Sequence, residues 1–201
     1  MKRKKIKTPE MESAIATHFG IRANLIVPNI SWGLGIHECD LLVLTASGYA
    51  TEVEIKVSRG DLIKDKEKSH GHHSKKLKYL YFAIPDYLED DIEHIPERAG
   101  ILIVAWNKDG DYLHVRKKRE PKLQFKYKFT DKERFEVARL GSMRIWGLKR
   151  TVNESNRNYH ALLEKYKTLE KEEANLKAIN KFYLIRKEQE NGKLTESINQ
   201  L

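Results

Sequence analysis

The stretch Thr51-Glu52-Val53-Glu54-Ile55-Lys56-Val57 carries residue types from which a reaction could be built. Read as a strand, its alternation sends Val53, Ile55 and Val57 to one face and Glu52, Glu54 and Lys56 to the other. Two carboxylates and an ammonium in a row make a poor core face and a good place to hold something charged. Upstream, Glu38-Cys39-Asp40 opens a second strand, Leu41-Leu42-Val43-Leu44. Ala46-Ser47-Gly48-Tyr49 reads as the turn between them, Gly48 supplying the permissive backbone. Such a hairpin brings Asp40 and Glu54 to the same end of adjacent strands. Two carboxylates meeting there repel unless a cation neutralises them. Hard oxygen ligands with open positions suit Mg²⁺, with Mn²⁺ as a substitute. The competing reading of Asp40, Glu54 and Lys56 is a buried ion-pair cluster between strands, which stabilises only weakly.

The elements that must position these groups can be read in order. Residues 1–7, Met1-Lys2-Arg3-Lys4-Lys5-Ile6-Lys7, read as a basic disordered arm. Thr8-Pro9 reads as an N-cap and first helical position, with Glu10 and Glu12 in the first turn and Gly20 as the stop. Met11, Ile15 and Phe19 form the buried stripe, and Glu12 borders it. Ala23 to Val27 reads as a strand interrupted by Pro28, and Ile30, Trp32 and Leu34 continue the alternation. Trp32 either packs in the core or stacks on a base. Ser58-Arg59-Gly60-Asp61 reads as a helix entrance, with Asp61 and Asp65 early in the helix. The near-continuous apolar run Lys78 to Pro85 predicts a strand buried on both faces between parallel neighbours, reached by a helical crossover. Ile101 to Trp106 repeats that character, Asn107-Lys108-Asp109-Gly110 predicts a hairpin turn, and Tyr112 to Val115 returns from it. Leu123, Phe125, Tyr127 and Phe129 alternate with Lys122, Gln124, Lys126 and Lys128, the period of an edge strand whose cationic face is either solvated or phosphate-facing. Thr130-Asp131-Lys132-Glu133 is a capping box for a helix ending at Gly141.

From about residue 152 to 190 the chain has no Gly or Pro, and Lys and Glu dominate. Tyr159, Leu162, Tyr166, Leu169, Leu176 and Tyr183 fit alternating a and d positions, with Glu173 and Asn180 at the intervening a positions. This predicts a long helix ending at Gly192. It could pair with a second copy, fold back, or bind another protein. The organisation expected is a basic arm (1–7), an α/β domain (8–150) and a helical, coiled-coil-like extension (151–201).

Asp40 followed by Glu54-Ile55-Lys56 resembles the signature of the PD-(D/E)xK nuclease superfamily. Glu38-Cys39-Asp40-Leu41-Leu42, then Glu52 through Leu62, then Tyr81-Phe82-Ala83-Ile84-Pro85, resemble the branch that includes MmcB-like DNA-repair proteins and related phage and bacterial nucleases. The likeness covers roughly residues 8–106, and Cys39 stands where the name-giving proline would be. It implies a restriction-endonuclease-like mixed β-sheet flanked by helices, with an αβββαβ core. It also implies Mg²⁺-dependent hydrolysis of phosphodiester bonds in DNA, in repair, restriction or phage DNA processing. Asp40, Glu54 and the backbone carbonyl of Ile55 would hold the metal. Lys56 would orient the attacking water and stabilise the transition state. As a base it would need a depressed pKa, and the adjacent carboxylates push the other way. An acid on the first helix often approaches the metal in such proteins; Glu12 is either that acid or a dipole residue. Glu38 and Glu52 could assist as ligands of a second metal or as supports of the first. Arg59, Lys64 and Lys66 would lie near the DNA backbone.

His70-Gly71-His72-His73 could bind a transition metal, but its setting between Lys68-Ser69 and Ser74-Lys75-Lys76 reads more simply as a mobile loop facing DNA, with His72 and Lys75 among its contacts. The 201 residues carry a net charge of +9, which favours a polyanion such as DNA, with RNA also open, or else merely keeps the surface solvated. No run of about 18 apolar residues stands in the sequence, so no membrane span is expected. A single cysteine fits a reducing, cytoplasmic setting in a bacterial or phage-infected cell. The rival classes are a nucleic-acid-binding module without hydrolysis, and an assembly protein working through its C-terminal helix.

Overall fold

The computed structural model describes residues 5–30, 32–68 and 71–198, with side chains described as far as residue 187. The chain forms two units, Met1–Trp146 and Gly147–Leu201. In the first, α1 (Thr8–His18) precedes β1 (Leu25–Ile30), β2 (Cys39–Leu44) and β3 (Ala50–Ile55). Then follow α2 (Arg59–Asp65), β4 (Leu77–Pro85), a 3₁₀ helix (Asp86–His94), β5 (Gly100–Trp106) and β6 (Leu113–Arg119). The long helix α3 (Asp131–Ile198) completes the chain. This is a mixed α/β architecture with the expected αβββαβ order and a long C-terminal helix.

The six strands lie in sequence order. β1, β2 and β3 are antiparallel, β3, β4 and β5 are parallel, and β6 returns antiparallel to β5. The Gly48 turn, with φ of 89° that suits glycine, closes the β2–β3 hairpin through Gly48 N–H to Thr45 O. Central placement buries every residue of β3, and its alternation divides the core. Val53 and Ile55 face Met11 and Ile15 of α1. The opposite face carries two separate apolar clusters. One gathers Leu42, Leu44, Ala50 and Leu77 under Val137 and Leu140 of α3. The other gathers Leu80, Phe82 and Ile84 under Leu62 of α2. On that face β3 offers Ala50, Glu52 and Glu54, so its acids lie where neither cluster supplies an apolar cover.

Several expectations are corrected. Ile6 is buried beside Met11 and Ile15, so the core begins within the expected basic arm; residues 1–4 lie outside the described residues. The cap of α1 is Lys7, whose N–H donates to Glu10 (2.8 Å), rather than Thr8. Pro28 sits inside β1, tolerated on an edge strand. Trp32 does not pack in the core: it is half exposed beneath the Arg139 guanidinium, 5.3 Å from the ring centroid.

Residues 122–129 are not a strand. β6 already occupies that side of β5, and this segment instead bonds across strand ends, Lys122 N–H to Arg98 O, Gln124 N–H to Lys78 O and Phe129 N–H to Gly48 O. Gly141 does not stop the helix either. A Cβ there would meet Val27 Cγ2 at 3.2 Å, so glycine lets α3 approach β1 closely, at a helix-propensity cost of about 1 kcal/mol. Gly192 likewise lies inside α3 rather than at its end.

Candidate functional site

The β2–β3 register sets Leu41 opposite Val53 and Leu42 opposite Glu52. One step further along, Asp40 stands opposite Glu54. Asp40 is half-buried, and its Oδ2 accepts the Ile55 backbone N–H at 2.7 Å. Glu54 is 1% exposed, and its Oε2 accepts hydrogen bonds from Lys56 Nζ (2.7 Å) and Lys68 Nζ (2.9 Å). Both ammonium groups also pair with Asp65 Oδ1, at 2.7 and 3.0 Å. His72, 2% exposed, bridges Asp65 Oδ2 through Nε2 and Glu52 Oε1 through Nδ1, each at 2.8 Å. His37 Nε2 reaches the same Glu52 oxygen at 2.8 Å.

Local sequence explains how these groups arrive. Ser58 caps α2 by accepting the Asp61 N–H. Leu62 then anchors the helix on the sheet, and Asp65, three residues on, shares that inward face. Gly71 and His72 both adopt positive φ, 48° and 57°, which turns the chain back so that the imidazole points inward. Phe82, beside Glu54 on β4, floors the site, with Lys56 Nζ 6.0 Å from its ring centroid.

The electrostatics follow from burial set against pairing. Burial alone would raise the Asp65 carboxyl, but the hydrogen bonds from His72 and Lys56 hold it well below the usual range. Burial would likewise raise Glu54, and the Lys56 ammonium brings it below its ordinary value. Burial opposes the His72 charge, yet bonds to Asp65 and Glu52 lift its pKa to about 9. With His72 charged, Glu52, Glu54 and Asp65 are balanced by Lys56, Lys68 and His72. Asp40 is different: burial, then the Glu54 charge, push its carboxyl up, and the Ile55 N–H only partly offsets them. Cys39 is buried, and burial followed by Glu52 raises its thiol strongly, so it is no nucleophile at neutral pH.

Because the folded His72 value lies above the ordinary 6.5, its stabilisation is fully present below pH 6.5 and is lost as pH rises through about 9. In chelator-containing buffer, urea unfolding is expected to show stability falling across that window by up to about 3 kcal/mol. A profile as flat as that of His72→Gln would contradict it.

The hairpin and the charged face of β3 place Asp40, Glu54 and Lys56 at one end of the sheet, as expected. Glu12 is half-buried on α1, and burial followed by the Asp40 charge raises its carboxyl, so it does approach the Asp40 side. Glu52 is brought into the cluster through the two histidines, whereas Glu38 is exposed and outside it. Arg59 pairs with Asp91 (2.8 Å), Lys66 meets His94 (3.1 Å), and Lys64 and Lys75 are exposed. His72 corrects the reading of a mobile loop facing DNA: it is a buried bridge, held between the Asp65 and Glu52 carboxylates at 2.8 Å to each. His70 lies outside the described residues. Asp65, Lys68 and His37 were not foreseen.

No family model matches the chain, and no curated protein matches it in sequence. Among solved structures, a protein of unknown function from Silicibacter pomeroyi is similar, with 15% identity and a TM-score of 0.51, over 76% of this chain and 94% of that one. That likeness is one of fold. Among the described residues, no helix is long and apolar enough to cross a membrane.

Proposed function

We propose that this chain is a metal-dependent hydrolase of phosphodiester bonds in nucleic acid, with DNA the first substrate to test. The observation that carries the reading is the β2–β3 hairpin: its register, continued one pair past Leu41–Val53, sets Asp40 opposite Glu54, and Lys56 Nζ lies 2.7 Å from Glu54 Oε2. The residues fit a divalent cation. Glu54 Oε1 is buried and accepts no hydrogen bond among the described residues, and Asp40 and Glu54 repel each other. Asp40, Glu54 and the Ile55 carbonyl would hold Mg²⁺ or Mn²⁺. When bound, the cation would lower the pKa of a coordinated water and offset charge developing on the phosphate.

The chain's own groups do the remaining work. Glu54 and Asp65 fix the Lys56 ammonium in one place, where it can orient a water and meet negative charge without reorganising. Lys68, whose side chain is 36% exposed, stands at the mouth of the cluster and offers positive charge to an arriving phosphate. Arg59, Lys64, Lys66 and Lys75 extend that charge along the surface, in keeping with the net charge of +9. The resemblance to PD-(D/E)xK nucleases supports the same assignment, and repair, restriction and phage DNA processing all fit it.

The charge balance inside the cluster favours a second reading, a nucleic-acid-binding module that does not cut. The two separate when linear, circular and branched DNA are incubated with the protein, with and without Mg²⁺ or Mn²⁺. Metal-dependent products that EDTA and Lys56→Ala both remove are expected. Binding with a steep salt slope and no product under any condition would favour the second reading.

A further inference from the structure

Next to the Asp40–Glu54 pair, and sharing none of its side-chain ligands, a second set of donors converges. His37 Nε2 and His72 Nδ1 each lie 2.8 Å from Glu52 Oε1, and the ligand atoms of the three residues all fall within 4.8 Å of one another. We propose that His37, Glu52 and His72 form a binding site for a zinc-class transition-metal ion. Two imidazoles and a carboxylate are the donor set that zinc takes when it keeps a fourth position open, and they do not suit Mg²⁺.

Three features separate this from an ordinary ion-pair cluster. Glu52 is 0% exposed, yet its Oε2 accepts no hydrogen bond among the described residues, while Oε1 serves both imidazoles. A buried carboxylate oxygen left with open lone pairs is costly, and a cation between the rings would use them. Asp65 Oδ2 holds His72 Nε2 at 2.8 Å, which turns Nδ1 toward Glu52 and fixes the ring, as carboxylates behind metal-bound histidines do. The spacing also suits exchange of bridging protons for a metal. Tetrahedral ligands at about 2.0–2.1 Å from zinc stand roughly 3.3 Å apart, so the ring nitrogens and the carboxylate need part by only about 0.5 Å. Binding would release the proton that His72 Nδ1 shares with Glu52 and displace the one between His37 Nε2 and the same carboxylate. A cleft of about 450 Å³ lined by Gly35, His37, His73 and Lys75 opens on the His37 side of the cluster.

The site does not depend on the nuclease reading, and its test reads metal rather than catalysis. Untagged protein stripped with a chelator would be titrated with Co²⁺, then with Zn²⁺. With excess Mg²⁺ present to occupy the Asp40–Glu54 pair, the expected result is one Co²⁺ per chain with the visible absorption of a tetrahedral site, displaced by Zn²⁺. It should persist in Asp40→Asn and weaken at least tenfold in Glu52→Gln and His37→Ala. His37 lies in the loop before β2, so its variant carries the test should Glu52→Gln fail to fold. Absence of the band, loss of it in Asp40→Asn, or an affinity unaltered in His37→Ala would overturn the proposal.

A different observation carries a second inference, about the Gly147–Leu201 unit. Val152, Tyr159, Leu162, Tyr166, Leu169 and Leu176 follow a and d spacing, and each is 54% to 67% exposed. The flanking positions match by type. In a parallel, in-register pair each g residue faces the e residue five positions on in the other chain. Lys165 then meets Glu170, Glu172 meets Lys177, and Ile179 meets Leu184: opposite charges twice, then two exposed apolar side chains. Lys177 already reaches Glu173 of its own chain at 2.5 Å, so it can tie the seam on both sides. The geometry points to a second copy of this chain as the occupant of that face, in a parallel coiled coil.

Light scattering of the full chain is expected to give a dimer, and Leu169→Glu a monomer. Leu176→Cys should cross-link to itself under mild oxidation. A monomer at micromolar concentration, a dimer that survives Leu169→Glu, or a dimer in which Leu176→Cys does not cross-link would overturn the proposal.

Discussion

Asp40→Asn is expected to lower metal-dependent DNA cleavage by about 10²–10³-fold or more, while leaving the protein as stable as the wild type or slightly more so. The two outcomes follow from one arrangement. Asparagine keeps an oxygen for the Ile55 N–H that Asp40 now bonds at 2.7 Å, so the local geometry survives. What it removes is a negative charge that burial and Glu54 already disfavour. A carboxyl whose pKa is raised on folding opposes folding at neutral pH, so neutralising it relieves the fold. A group kept at a cost to stability is a mark of function rather than packing. Initial rates and urea unfolding of the same preparations check both halves. Were Asp40 merely structural, stability would fall and cleavage would be untouched.

Asp65→Ala is expected to cost about 3–5 kcal/mol of unfolding free energy, the range for breaking one side of a buried charged network. Asp65 holds Lys56 and Lys68 through Oδ1 and His72 through Oδ2. Its removal leaves a buried imidazolium and a buried ammonium competing for Glu52 and Glu54. Asp91→Ala, which removes the half-buried partner of the exposed Arg59, serves as the control and should cost less than about 1 kcal/mol. Denaturant midpoints at pH 7 give both values, and a loss below about 1 kcal/mol for Asp65→Ala would show that the network is not what holds Lys56.

The parts of the site that lie on regular strands were legible in the sequence. Alternation alone put Glu52, Glu54 and Lys56 on one face of β3, and the Gly48 turn implied that Asp40 would meet them. The supporting groups were not, because their partners are remote in the chain. Asp65 read as an acid early in its helix, whereas it is the last residue of α2; its spacing of three from Leu62 was the available signal that it faces inward. His72 sits among lysines and serines, and the local pattern reads as solvent-exposed. Its burial depends on Gly71 and His72 taking positive φ, and on acids that only the folded sheet presents. His37 had no local signal beyond its nearness to Asp40. In the fold, Gly141 misled for a similar reason: a glycine suggests a helix stop, but here it makes room for Val27 of β1. The alternation of Leu123 to Phe129 was real, but β6 had already taken the place beside β5, so the segment crosses strand ends instead.

The central claim is that Asp40 and Glu54 jointly hold a divalent cation at the end of the β2–β3 hairpin. The most direct measurement is Mn²⁺ binding, followed by the electron paramagnetic resonance signal of the free ion as protein is added, with the histidine–Glu52 site filled beforehand with Zn²⁺. The expected result is one bound Mn²⁺ per chain that Mg²⁺ displaces and that Asp40→Asn abolishes. Mn²⁺ that remains free, or that binds Asp40→Asn as tightly as the wild type, would contradict it.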